Sequence, residues 1–139
     1  MSKVTKLNHV AIVIPSIENA LGFWRDTLGL RLDHIEDVPG QKSKVAFLPL
    51  GESDIELIEP TSEVSGLKKF LDERGPGMHH ICFEVEDIDN MLGELRSRGV
   101  RLINDEPVQL PGRKMAFIHP KSAGGVLVEV YQLTTWRFV

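Results

Sequence analysis

The segment HVAIVIPSIENALGFWR, starting at His9, lies over HICFEVEDIDNMLGELR, starting at His80, and its polar residues match as well as its apolar ones. At an offset of 71 positions, His9/His80, Ile17/Ile88, Asn19/Asn90, Leu21/Leu92, Gly22/Gly93 and Arg25/Arg96 are identical pairs. One residue then drops out. At an offset of 70, Arg31-Leu32 meets Arg101-Leu102, and KVAFL from Lys44 meets KMAFI from Lys114. Three residues added around Gly124-Gly125 raise the offset to 73, so that IEL at Ile55–Leu57 meets VEV at Val128–Val130 and Glu56 pairs with Glu129. A chain made of two copies of one unit can only adopt folds in which that unit is stable twice.

The unit itself is legible. Val10, Ile12 and Ile14 alternate with His9, Ala11 and Val13, and Ile81, Phe83 and Val85 alternate with His80, Cys82 and Glu84. Period two predicts a strand in each copy. Ser16 and Asp87 then stand where helix N-caps belong. A helical stripe follows, with Ile17, Ala20, Leu21, Trp24 and Leu28 in one copy and Ile88, Met91, Leu92 and Leu95 in the other; Gly29 and Gly99 fit C′ positions. Three short strands are expected after each helix, near 30–37, 43–49 and 53–59 and near 101–104, 114–119 and 126–132. The expectation is an α+β fold of two βαβββ modules, about 7–59 and 78–132, in one domain. The linker, 60–77, holds a further helix in SGLKKFLDERG.

The 139 residues carry 16 basic and 20 acidic side chains, a net charge of −4, which argues against a nucleic-acid footprint. The single cysteine, Cys82, excludes an intrachain disulfide and fits a small core position in a reducing compartment. The apolar run before Pro15 is too short for a signal peptide, and no stretch reaches membrane-spanning length, so a soluble cytoplasmic protein without membrane partners is expected. The apolar tail TTWRFV, with Trp136 and Phe138, predicts a covered surface and hence a homodimer.

The repeat also brings chemistry together. A duplicated unit packs about a pseudo-two-fold axis, so His9 with His80 and Glu56 with Glu129 are expected around one point. Imidazoles and carboxylates flanked by apolar neighbours on strands need partners, because a lone buried charge is costly. Two histidines and two carboxylates suit a divalent first-row transition metal. His79 is sent to the opposite face by the strand period. His34 and His119 have no counterpart in the repeat and fit surface or supporting positions.

NHVAIVIPSIENALGFWRDTLGL, KVAFLPLGESDIELIEP, GMHHICFEVEDID, GVRLINDEP and FIHPKSAGGVLVEVYQ resemble the vicinal oxygen chelate superfamily, and within it the methylmalonyl-CoA epimerases. The resemblance runs over about residues 6–132. It implies a half-open mixed β-sheet cup with helices packed outside, and it places metal ligands on His9, Glu56 (four residues before Pro60), His80 and Glu129. Cobalt is the metal it implies first, with zinc, nickel, manganese and iron as alternatives, and an acyl-CoA is the implied substrate. The implied reaction is removal of an α-proton between a carboxylate and a thioester, with reprotonation from the other face through an enolate stabilised by the cation. Some epimerases carry a glutamate base on the third strand; that position is Lys44 here. Glu129, Glu56 and Lys44 are therefore the candidate acid–base groups. Lys114, Lys121 and Ser122, with Arg113, are candidates for contacting the substrate carboxylate or the CoA phosphates. A glyoxalase I-like lyase and a non-catalytic ligand-binding member of the superfamily are the alternatives. HPKSAGGVLVEV departs from the DPDGYWIE pattern of the former.

Overall fold

The computed structural model describes residues 2–134; the tail residues Trp136 and Phe138 lie outside the described residues. Eight strands and three α-helices follow in the order β1 (Val4–Val13), α1 (Ile17–Leu21), β2 (His34–Val38), β3 (Ser43–Leu50), β4 (Ser53–Pro60), α2 (Gly66–Arg74), β5 (Gly77–Val85), α3 (Ile88–Ser97), β6 (Val108–Leu110), β7 (Arg113–Ile118) and β8 (Val128–Leu133). The fold is α+β, and none of the described helices is long and apolar enough to cross a membrane. The chain divides into two compact units, His9–His79 and the remainder, in which the residues up to Asn8 join those from His80 onward. They are called here the His9 unit and the His80 unit.

In the His9 unit the strands run β2-β3-β4-β1, with β1 parallel to β4 and β3 antiparallel to both its neighbours. In the His80 unit the order is β6-β7-β8-β5, with β5 parallel to β8 and β7 antiparallel to both its neighbours. The first half of β1 belongs to the His80 unit, where Asn8 Nδ2 donates to Glu84 Oε2 (2.8 Å) and Thr5 Oγ1 to the Glu84 carbonyl (3.2 Å).

Each unit has its own core, built from repeat-related positions. In the His9 unit Ile14, Ile17, Leu21, Ala46, Leu48 and Leu57 pack together; in the His80 unit Val85, Ile88, Leu92, Ala116, Ile118 and Val130 do the same. These are the apolar face of the first strand, the helix stripe, and alternate residues of the two following strands. A second cluster in the His9 unit joins Ala11, Val13, Val45 and Ile58 to Leu67, Phe70 and Leu71 of α2. The linker helix forms as the pattern predicts: Ser65 Oγ accepts the Lys68 N–H (3.1 Å) at its start, and Gly75 takes φ 77° at its end.

The helix starts also match. Ser16 Oγ accepts the Asn19 N–H (3.2 Å), and Asp87 Oδ1 accepts the Asn90 N–H (3.1 Å). A second acceptor arrives from the last strand of each module: Glu59 Oε1 takes the Ile17 N–H at 2.8 Å, and Gln132 Oε1 takes the Ile88 N–H at 2.7 Å. Two of the orphan donors at each helix start are thus satisfied. The single extra residue of the first module is absorbed in its helix. After the five residues of α1, Gly22–Thr27 winds for six more as a π-helix, with Leu28 donating to the Phe23 carbonyl at 2.7 Å; α3 has ten residues and no such stretch. Gly29 and Gly99, at the ends, both adopt positive φ, 94° and 78°.

Two strand expectations are corrected. The strand near 30–37 begins only at His34. The strand near 101–104 reduces to one bridge, Leu102 to Ile118, and the regular strand lies later, at Val108–Leu110. Side chains take over part of the backbone pairing there: Ser122 Oγ accepts the Arg101 N–H (2.9 Å), and Asn104 Oδ1 accepts the Phe117 N–H (2.8 Å).

Ser43 is a local defect. It opens β3 with 1% exposure, and its Oγ has no hydrogen-bond partner among the described residues. A buried hydroxyl without a partner costs about 1–3 kcal/mol. Ser43→Ala should therefore stabilise the protein, by about 1 kcal/mol, seen as a rise of ~2–4 °C in the thermal midpoint. An unchanged or lower midpoint would show that the hydroxyl is satisfied in solution.

Candidate metal and acid–base site

Strand alternation decides which side chains meet. In the His9 unit, His9, Ala11 and Val13 share one face of β1, and Ala11 is in register with Glu56 on β4. In the His80 unit, His80 and Cys82 share one face of β5, and Cys82 is in register with Glu129 on β8. Each module thus sets a histidine two residues before the register partner of a glutamate, on the same face. His9 Nδ1 lies 3.2 Å from Glu56 Oε2, and His80 Nε2 lies 3.1 Å from Glu129 Oε1. The two pairs use different ring nitrogens.

Both pairs are secluded. His9, His80 and Glu129 are less than one-tenth exposed, and the Glu56 side chain is 14% exposed. The walls are apolar. Phe47 stands across from Glu56 on β3, and Phe117 stands across from Glu129 on β7. The Phe117 ring meets the His80 ring edge to face at 5.5 Å, and His34 stacks on Phe47 at 4.5 Å. A carboxylate in such surroundings is stabilised by its imidazole partner, and the same two groups are nitrogen and oxygen donors for a divalent transition metal. The residues present fit such a cation in donor type and in burial.

The other predicted site residues lie elsewhere. Lys44 is exposed and pairs in register with Glu59, so alternation turns it to the α1 side of β3, away from Glu56; Val45 and Phe47 take the Glu56 side. Its repeat partner Lys114 likewise faces α3, where its Nζ lies 3.5 Å from Asp89 Oδ2. Ser122 and Lys121 sit in the short 3-10 turn Pro120–Ser122, and the Ser122 hydroxyl is engaged with Arg101. His79 turns away from the His80 face and meets Phe70 of α2 edge to face at 4.9 Å. The cleft of about 330 Å³ beside Ile14, Ser16, Asn19, Phe23 and Trp24 lies on the α1 face of its unit, opposite His9.

Three features have no sequence-based expectation behind them: the phenylalanine walls, the helix acceptors Glu59 and Gln132, and the place of Cys82 beside Glu129. The first two carried a signal, because Phe47/Phe117 and Glu59/Gln132 obey the same offsets, 70 and 73, as the residues that were singled out.

Comparison with known proteins gives the family. The family model described as Glyoxalase/Bleomycin resistance protein/Dioxygenase superfamily matches residues 8–117. The chain belongs to this superfamily. Within it, a mitochondrial methylmalonyl-CoA epimerase of Mus musculus is 37% identical over 94% of this chain and 74% of the relative. An ethylmalonyl-CoA/methylmalonyl-CoA epimerase of Cereibacter sphaeroides is 40% identical, over 94% of this chain and 99% of the relative. A solved methylmalonyl-CoA epimerase in complex with methylmalonyl-CoA and NH4+ superposes with a TM-score of 0.85, at 33% identity, covering 96% of this chain and 97% of that one.

His119 supplies a pH test of the HPKS turn. Its Nδ1 accepts the Lys121 N–H at 3.0 Å, which requires a lone pair there. Desolvation, then the charges of Arg101 and Lys121, hold its pKa below the ordinary 6.5. The turn's contribution to stability is therefore complete above the unfolded value and is lost as pH falls through the folded one. An NMR titration should place the His119 midpoint below 6.5. A midpoint at or above that value would mean that the Lys121 contact does not form.

Proposed function

We propose that this chain is a metal-dependent epimerase that interconverts the (R) and (S) forms of methylmalonyl-CoA. The observation that carries the proposal is the duplicated buried His–Glu pair, His9 with Glu56 and His80 with Glu129, in a chain whose similar proteins are named for this reaction. The four side chains serve one divalent cation, a reading supported by the repeat that relates the two pairs. When bound, the cation supplies Lewis-acid stabilisation of the negative charge that develops on the substrate oxygens. The donor set accepts cobalt, zinc, nickel, manganese or iron.

The chain's own residues move the proton. One glutamate takes the α-proton, and the C–H electron pair passes into the adjoining thioester carbonyl as an enolate. The opposite glutamate, as its acid, returns a proton to the other face of the carbon. Exchange with water resets both groups. Two carboxylates related by the internal repeat suit a step that must run equally well in both directions. Glu129 and Glu56 take these roles. The orientation of Lys44 speaks against it as the second base, because Val45, Phe47 and Pro49 take the Glu56 side of β3. Phe47 and Phe117 keep water from competing for the enolate carbon. Lys121, exposed in the Pro120–Ser122 turn, is our candidate for contact with the CoA phosphates.

Incubation with single-isomer methylmalonyl-CoA should give an equilibrium mixture of isomers, with exchange of the α-proton for solvent deuterium. Turnover of methylglyoxal-glutathione hemithioacetal instead would make the protein a glyoxalase-like lyase. Silence toward both substrates, with metal bound, would make it a binding module.

Substitution separates the roles. Glu129→Gln and Glu56→Gln should each lower kcat by about 10²–10⁴-fold, whereas Lys44→Ala should leave it within about 2-fold. Full turnover by Glu56→Gln would remove it as the second base. Metal analysis should find His80→Ala depleted of cation, and His79→Ala loaded but less stable by about 0.5–1.5 kcal/mol through loss of its contact with Phe70.

A further inference from the structure

His34, Phe47, Glu56 and Ala11 form one cross-strand row over β2, β3, β4 and β1, so their side chains share a face of the His9 unit. The His34 ring lies flat on the Phe47 ring, with centroids 4.5 Å apart and planes 14° from parallel. Both ring nitrogens of His34 meet carboxylates: Nδ1 is 2.7 Å from Asp33 Oδ2, and Nε2 is 3.6 Å from Glu36 Oε1. The hydrogen bond to Asp33, against a smaller cost of desolvation, raises the His34 pKa above the ordinary 6.5. A cation over an aromatic face is held there by the ring's quadrupole.

Phe47 needs the cover. It packs on the cluster of Ala11, Val13, Val45 and Ile58, yet it is only half-buried. β2 ends the strand order, so His34 is the outward neighbour of Phe47 in the row. Glu56 is the inward neighbour, and its side chain is more exposed than that of Glu129, 14% against 9%. Two strand spacings, roughly 10 Å, separate His34 from Glu56, so its influence on that carboxylate runs through Phe47. The other module secures its wall differently. At the offset of 70 the place of His34 is taken by Asn104, whose Oδ1 accepts the Phe117 N–H at 2.8 Å. The preceding residues confirm the match: the N–H of Asp33 donates to the Phe47 carbonyl (2.9 Å), and that of Ile103 to the Phe117 carbonyl (2.8 Å).

We infer that His34 is a positioning residue that holds the Phe47 ring beside Glu56 and so keeps water from that carboxylate. The inference rests on the proton transfer proposed above and deepens it. When Glu56 takes the α-proton, the C–H electron pair passes into the thioester carbonyl and Glu56 becomes the acid. In D2O that acid can exchange its proton for a deuteron and return it to the same face, which gives back the starting isomer carrying label. A tight wall limits this exchange, and a loose one promotes it.

Each single isomer of methylmalonyl-CoA, incubated with the full-length protein in D2O and stopped early, is separated from its epimer, and the label in the recovered starting isomer is read by mass spectrometry. His34→Ala should raise that label by about 2–10-fold, the population shift that losing one ring pair allows, and for one isomer only, the one whose proton Glu56 takes. His34→Phe, which keeps a ring on Phe47 without the Asp33 bond, should restore the wild-type figure. Independently of turnover, the NMR signals of the His34 ring protons should lie upfield of those of an exposed histidine, shielded by Phe47, and Phe47→Leu should move them back. No rise in label for either isomer, an equal rise for both, no restoration by His34→Phe, or unshifted His34 signals would each overturn the role of His34 while the epimerase stands. If the wild type epimerises neither isomer, the functional reading fails, and the inference falls with it.

Discussion

Neither His9 nor His80 could be buried alone, and neither could its glutamate. A parallel strand pair resolves both costs at once. β1 with β4, and β5 with β8, set an imidazole and a carboxylate on one face, close enough to share a hydrogen bond at 3.2 and 3.1 Å. The apolar residues between them, Val10 and Ile55 in one module and Ile81 and Val128 in the other, turn to the opposite face. The same alternation therefore builds the helix-packed core and the polar pair, and a slip of one residue would exchange them. The fold and the chemistry are specified by one constraint.

Much of this was legible in the sequence because the chain states it twice. A lone histidine on a strand carries little information, but His9 and His80 share both an offset and a neighbourhood. The cores were legible for the same reason: Leu57 and Val130, or Ala46 and Ala116, occupy matching places in separate clusters. The repeat is silent where the modules part. In the second module, the backbone donors of Arg101 and Phe117 go to the side chains of Ser122 and Asn104, and no hydrophobic pattern announces a side-chain acceptor. The placement of Lys44 shows a different limit. Lys44 and Lys114 share an offset, but an offset carries no register, and it is the pairing with Glu59 that fixes the face of Lys44.

The two modules share an architecture without sharing every role. Phe47 and Phe117 occupy one position in the repeat, yet Phe47 carries the His34 ring and Phe117 the His80 ring. Glu59 and Gln132 bind equivalent helix starts, one with a charge and the other without. A carboxylate gains more than an amide from the positive end of a helix. Cys82 against Ala11 is the same kind of divergence, in register with Glu129 in one module and with Glu56 in the other.

The π-helical stretch at Gly22–Thr27 bears on how such divergence stays harmless. One extra residue in an α-helix would ordinarily rotate everything beyond it by about 100° and carry the chain 1.5 Å further. Here the widened turn takes up the surplus, and Gly29 leaves its helix as Gly99 leaves the other. Downstream, Ala46 and Leu48 meet their core as Ala116 and Ile118 meet theirs. A helix that can take up one residue works as a slack loop in a taut line: the length of the chain can vary there without retuning the distance between a histidine on the first strand of a module and a glutamate on its last.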